Sequence, residues 1–169
     1  MIGIALLAVF ACFAVMMIGK VSIFGYTFVN YDPEPIIQVQ NDTNITEVVL
    51  NTNNVAVEII KTDDSNIQYK LNPKIQGVFK LDTIKNAEQP IAFEEQVADG
   101  VLTINTLSPY GLYFMNTSKL QIWLPSTISI QNLTVKSGTT DVNFGGNLNL
   151  KNLTVELTSN LNSFELSED

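Results

Sequence analysis

IQNLTVKSGTTDVNF, residues 130–144, is followed twenty residues on by LKNLTVELTSNLNSF, residues 150–164. Asn, Leu, Thr, Val and Phe recur in register, and Ile is replaced by Leu. A period near twenty in a strand-rich segment predicts tandem units that stack, because one such unit cannot bury its own apolar face. Ile128, Ile130, Leu133, Val135, Val142 and Phe144 are expected to face inward from one coil. Leu148, Leu150, Leu153, Val155 and Phe164 are expected to stack on them one strand spacing away, about 4.8 Å. Asn132 and Asn152 fall at equivalent corners, where Asn tolerates left-handed backbone and a ladder outweighs a ligand site. SGT at 137–139 and FGGN at 144–147 read as tight turns.

Working back from the repeats, alternation continues. Leu120, Ile122 and Leu124 alternate in KLQIWLP, and Pro125 ends that strand. ADG at 98–100 reads as a turn leading into VLTIN, and a strand is expected over 75–81. Val55, Val57 and Ile59 share one side of a strand. After the turn KTDDSN, Ile67, Tyr69 and Leu71 form the second arm of a hairpin or an adjacent rung. No long helical period appears in this body. NYDPEP ends regular structure and marks a hinge near residue 36.

Residues 1–19, MIGIALLAVFACFAVMMIG, carry no charge. As a helix they would run about 28 Å, close to a bilayer core of roughly 30 Å, so the expectation is one membrane-spanning helix in contact with lipid. A cleaved signal peptide would need a basic region in front and small residues before the cut, and neither is present. Lipidation of Cys12 is disfavoured by Phe10 upstream of it, where such sites take a small residue. Lys20, taken literally, would keep the body in the cytoplasm. The acidic, Asn- and Thr-rich, strand-built body favours the outer side, and the absent basic flank suggests that residues upstream are missing. The expected organisation is a transmembrane helix over 1–20, an interfacial segment and hinge over 21–36 with Phe24, Tyr26 and Phe28 on one face, and a β-domain over 37–169.

Composition excludes several function classes. The 169 residues contain no His and no Arg, with nine lysines against seventeen carboxylates and a formal charge of −8. No Ser-His or Cys-His nucleophile, His-ligated metal or bidentate Arg clamp can be built. An acidic chain with scattered lysines lacks the footprint of a nucleic-acid binder. The single cysteine leaves the body without a disulfide. Five Asn-x-Ser/Thr sequons carry little information in a chain this rich in Asn and Thr.

The strand ending in LP (Ile122 to Pro125), the rung ISIQNLTVKSG with its Ser-Gly turn, and the next rung LNLKNLTV resemble a bacterial family called the putative-adhesin domain, whose β-solenoid is also called a toastrack. The resemblance covers residues 40–166 and is strongest over 101–166. It implies a membrane-anchored or exported envelope protein, in some members one that acts in envelope-stress signalling, and it brings no catalytic residues. The second unit departs from the pattern, with ELTSN where the first has KSGTT, and relatives commonly continue through further rungs.

The expectation for the whole is an all-β solenoid with single-stranded rungs and coils near twenty residues, preceded by one transmembrane α-helix. PYGLYFMN, 109–116, concentrates amphipathic aromatics of the kind found at contact surfaces, so Tyr110, Leu112, Tyr113 and Phe114 are the candidate binding surface, with loop packing as the plainer alternative. Asp63-Asp64, Glu94-Glu95 and Glu168-Asp169 lack calcium-loop spacing and read as solvated turns. No catalytic, cofactor or metal residue is expected. The last rung presents an open edge that Glu165, Glu168 and Asp169 would guard, or that pairs edge to edge with a second copy. Function is expected to be that of a non-enzymatic surface binding module for an extracellular protein or glycan. An envelope-stress sensor or scaffold is the alternative, and a polysaccharide-active enzyme is disfavoured by the lack of paired acids at rung spacing.

Overall fold

The computed structural model describes residues 2–19, 21–42, 44–83, 90–109, 111, 113–138, 141–146, 148, 150–158 and 164–167. Helix α1 (Ile2–Gly19) is followed by strands β1 (Tyr26–Tyr31), β2 (Ile36–Gln40), β3 (Glu47–Asn53), β4 (Ala56–Thr62), β5 (Ile67–Asn72) and β6 (Ile75–Lys80). Then come β7 (Ala92–Ala98), β8 (Val101–Leu107), β9 (Tyr113–Asn116), β10 (Lys119–Pro125), β11 (Asn132–Ser137), β12 (Val142–Gly145), β13 (Asn152–Leu157) and β14 (Phe164–Ser167). Among the described residues the regular structure of the body is β, apart from one 3₁₀ turn at Leu81–Thr83.

Two sheets carry the core. One has the order β13-β11-β3-β8-β7 and the other β14-β12-β4-β10-β5-β2. Four rungs, β8 with β10, β3 with β4, β11 with β12, and β13 with β14, contribute one strand to each sheet, and their strands pair in parallel. Antiparallel strands β7, β5 and β2 finish the opposite edges. Period-2 alternation explains the layering, since every second residue of a strand reaches the same face. Val48, Leu50, Leu102, Ile104 and Val135 from the first sheet meet Val57, Ile59, Leu120, Ile122 and Val142 from the second, all at 0% exposure. Each such side chain contributes roughly 1.5–3 kcal/mol of transfer free energy on burial.

The repeat produces the register that its spacing predicts in the first sheet, where Asn132 pairs with Asn152, Leu133 with Leu153 and Val135 with Val155. In the second sheet the period lengthens by two residues. Val142 pairs with Phe164 and Phe144 with Leu166, so the expected Phe144–Phe164 column is displaced. Leu153 lies on the edge strand of its sheet and is 42% exposed.

The stack also departs from a solenoid wound in one direction. The chain lays down β3 and β4, places β8 and β10 on one side of them, then crosses to the other side for β11 and β12. The sheets are not closed. Likewise β4 and β5 are not hairpin partners, because β10 lies between them, parallel to β4 and antiparallel to β5. KTDDSN does form the connecting turn, with Thr62 Oγ1 accepting from the Asp64 amide at 3.2 Å. ADG is the two-residue turn joining β7 to β8, with Asp99 at φ 52° and Gly100 at φ 77°.

A third, antiparallel sheet, β1-β6-β9, joins the body to α1. β1 is paired along its whole length with β6. Val29, Ile75 and Phe79 bind this sheet to the common core. Helix α1 is uncharged, and Phe13 meets Phe28 edge to face at 5.9 Å. Counted over the described residues, no helix is long and apolar enough to cross a membrane. The eighteen residues of α1 reach about 27 Å, short of a bilayer core of roughly 30 Å, and Met16 is buried at 8% exposure. The expected common face of Phe24, Tyr26 and Phe28 is also absent. Phe24 and Gly25 instead form a two-residue turn, φ 52° and 77°, between Ile23 and Tyr26, whose backbones exchange hydrogen bonds at 2.8 and 3.0 Å.

One inward column is polar. Ser137, Thr52 and Thr106 are register neighbours across β11, β3 and β8, and all are buried. Thr52 Oγ1 reaches the Lys136 carbonyl at 3.5 Å, whereas Thr106 Oγ1 has no partner among the described residues. A buried hydroxyl without a partner costs about 1–3 kcal/mol. Thr106→Val is therefore expected to raise stability by about 1 kcal/mol, seen as a higher urea midpoint at unchanged slope.

Candidate binding surfaces

Of the four residues expected to form a binding surface, Tyr110 and Leu112 lie outside the described residues. The backbones of Tyr113 and Phe114 open β9 and pair with Val78 and Gly77 of β6. Met115, next along the strand, is 59% exposed.

Of the carboxylate pairs expected at solvated turns, Asp63-Asp64 lie at one, Glu94-Glu95 lie on β7, and Glu168-Asp169 fall outside the described residues. Asp63 accepts from Ser126 Oγ at 3.2 Å, and Asp64 accepts from Gln68 Nε2 at 3.1 Å. Glu94 and Glu95 lie on opposite faces of β7, paired with Asn105 and Ile104. Glu95 therefore belongs to the inward row of an edge strand. There it accepts from Gln40 Nε2 at 3.0 Å and from the Tyr69 hydroxyl. Burial, reinforced by Glu95, pushes the Tyr69 phenol well above its ordinary value. An inward-turned charge on an edge strand discourages a further strand from adding there. Among the described residues no group of three or more His, Cys, Asp or Glu is placed to hold a metal.

The outer face of the five-stranded sheet is a polar ladder. Asn152 Nδ2 donates to Asn132 Oδ1 at 2.8 Å, and Asn132 Nδ2 donates to Glu47 Oε2 at 3.3 Å. The two asparagines thus form the expected ladder, though as first residues of strands and not in left-handed corners. Asn51 donates to Asn105 at 2.8 Å, and Lys136 pairs with Glu156 at 3.3 Å. An open groove of about 380 Å³ runs past Asn51, Asn53, Lys136, Gly138 and Thr158. A Cβ at Gly138 would come within 2.5 Å of Asn53 Oδ1, so a larger residue there would push that side-chain amide aside.

The outer face of the six-stranded sheet differs in chemistry. Glu58 receives Lys119 Nζ at 2.8 Å and Gln121 Nε2 at 2.6 Å. The Lys119 hydrogen bond, with Gln121 assisting, holds the Glu58 carboxyl below the usual range against the opposing effect of burial. Beside this network Trp123 stands in a register row with Ile60 and Gln68. Trp123 is not among the candidate binding residues that the sequence singled out. The signal for its true place was in KLQIWLP itself, because alternation that turns Leu120, Ile122 and Leu124 inward leaves Lys119, Gln121 and Trp123 outside.

No family model matches the chain. No curated protein matches it either. Solved structures do. A putative cell adhesion protein from Clostridium sporogenes is 17% identical over 74% of this chain and 57% of its own, at a TM-score of 0.44. A putative adhesin from Parabacteroides merdae is 10% identical over 80% of this chain and 57% of its own, at 0.39. A putative adhesin from Bacteroides fragilis is 14% identical over 72% of this chain and 55% of its own, at 0.35. The chain is thus similar to bacterial proteins described as adhesins or cell adhesion proteins, and it spans just over half the length of each.

Proposed function

We propose that this chain is a non-enzymatic binding module, held at a membrane by α1 and displayed on the outer side of the cell, where its stacked sheets offer their outer faces to an extracellular protein or glycan. The observation that carries the membrane part is the surface of α1. Leu7, Val9, Phe10 and Ile18 are 67–86% exposed on a helix without a charge. A helix that is apolar on every side belongs in a core or in lipid, and this one meets the body through Phe13, with Met16 buried on the same side. Phe24, 92% exposed in a left-handed turn just beyond the helix, adds a further apolar group without cover.

The non-enzymatic part is supported by the carboxylates, which are spent on turns, an edge strand and a lysine pair. A second reading, regulation through the membrane segment, is favoured by the Phe13–Phe28 contact, which ties the helix directly to β1.

The test uses the full chain with a tag after Asp169. It is expected to sediment with membranes after a carbonate wash, and protease added to intact cells is expected to remove the tag. Deletion of residues 1–19 is expected to release the body. A full-length chain found in the soluble fraction would overturn anchoring, and a protected tag would reverse the topology.

A further inference from the structure

We infer that the outer face of the six-stranded sheet binds a glycan chain, with Trp123 as the stacking platform. The inference rests on the reading of this chain as a binding module and is independent of which side of the membrane it occupies.

β10 lies inside the sheet, with β4 on one side and β5 on the other, so Trp123 stands in mid-sheet and not at a rim. Its row across the strands reads Gly145, Ile60, Trp123, Gln68, Val39. The adjacent outward row reads Asn143, Glu58, Gln121, Lys70, Ile37. Five strands give four spacings, about 19 Å, which matches a short oligosaccharide lying across them.

A sugar ring offers an apolar C–H face and a rim of hydroxyls. The two rows offer the complement. An indole supplies a flat apolar surface with one N–H donor. Gln121 and Gln68 place amides beside it, each already donating to a carboxylate, Glu58 at 2.6 Å and Asp64 at 3.1 Å, and Lys70 forms no ion pair with any described residue. Glu58 is neutralised by Lys119, so the face carries no strong net field that would select a densely charged polymer. Gly145 brings no side chain to its place in the row, with β14 pairing beyond it through Ser167, and a Cβ there would meet the Ile59 carbonyl at 3.7 Å. The other sheet's outer face has no aromatic residue in its described rows.

Trp123 is the single tryptophan of the chain and so reports on its own site. The full chain in detergent micelles is titrated with cellohexaose, chitohexaose and maltohexaose while indole emission is followed. A saturable change with at least one of the three is expected. Trp123→Ala is expected to weaken that binding, read by affinity electrophoresis, by about thirtyfold, in line with loss of a central aromatic anchor. Lys70→Ala is expected to weaken it severalfold with an unchanged circular dichroism spectrum. If Trp123→Ala does not fold, Trp123→Phe, which keeps a smaller ring, is expected to bind with reduced affinity. No response to any of the three sugars overturns the inference, as does binding that survives loss of the indole or emission that answers only to an added protein. The micelle titration is blind to topology, so its failure leaves membrane anchoring standing, and failure of anchoring leaves the titration valid.

Discussion

Phe79→Ala is expected to lower the stability of the fold by about 3–5 kcal/mol, the usual range for emptying a fully buried aromatic site. Alternation along β6 turns Phe79 into the core at 0% exposure and leaves Lys80 outside, paired with Asp82 at 2.6 Å. Phe79 belongs to the same buried cluster as Val29 and Ile75, and β6 is the middle strand of the sheet that carries β1. Its ring is therefore a wedge between the two large sheets and the small one that α1 touches. A loss of this size is a large fraction of a domain's total, about 5–15 kcal/mol.

The effect has a location as well as a size. Hydrogen exchange at the β1 and β6 amides is expected to accelerate more than exchange in β3 and β11, because the small sheet loses its hold first. Phe79→Leu, which keeps most of the volume, is expected to cost less than about 1.5 kcal/mol. A loss below 1 kcal/mol for Phe79→Ala, or uniform acceleration of exchange, would show that the small sheet is secured elsewhere.

The parts of this fold that sequence reveals are those in which identical side chains recur at one spacing. Asn132 over Asn152 and Val135 over Val155 could be read as columns before any coordinates, because register within a repeat is a local property. Strand order is not. β10 reaches its place between β4 and β5 across some sixty residues, and nothing in KLQIWLP marks which strands will flank it. The Phe144–Phe164 column failed for a related reason. The connection after β13 is longer than that after β11 by two residues, and two residues preserve the facing of a strand while moving its partner. The Trp123 face was legible from alternation alone, whereas the aromatic stretch that drew attention, 109–116, did so by composition and not by position.

Asn116 illustrates what composition conceals, because its side chain is spent on backbone and hydroxyl groups that only the fold brings together. Its amide nitrogen donates to the Asn54 carbonyl and to Ser108 Oγ at 3.0 Å, and its Oδ1 accepts the Ser118 amide at 2.9 Å. Ser118 Oγ in turn accepts the Lys74 amide at 2.8 Å and donates to the Lys74 carbonyl at 3.2 Å. Asn54 holds φ 56°, and Asn54, Ser108 and Ser118 are all 5% exposed or less. One side chain thus closes the junction where β4 begins, β8 ends and β9 passes to β10. Asn116→Ala leaves a carbonyl, a hydroxyl and an N–H with fewer partners in a site short of water, and is expected to cost about 3 kcal/mol. Asn116→Asp keeps the acceptor for Ser118 but turns a carboxylate toward the Asn54 carbonyl. That repulsion raises the folded pKa above the unfolded one, so the variant's deficit is expected to be smallest below the ordinary carboxylate range, where a protonated oxygen can donate, and to grow as pH rises through the folded pKa. Urea midpoints for the two variants at acid and neutral pH decide the matter. A pH-independent deficit shared equally by both would mean that Asn116 acts by volume alone.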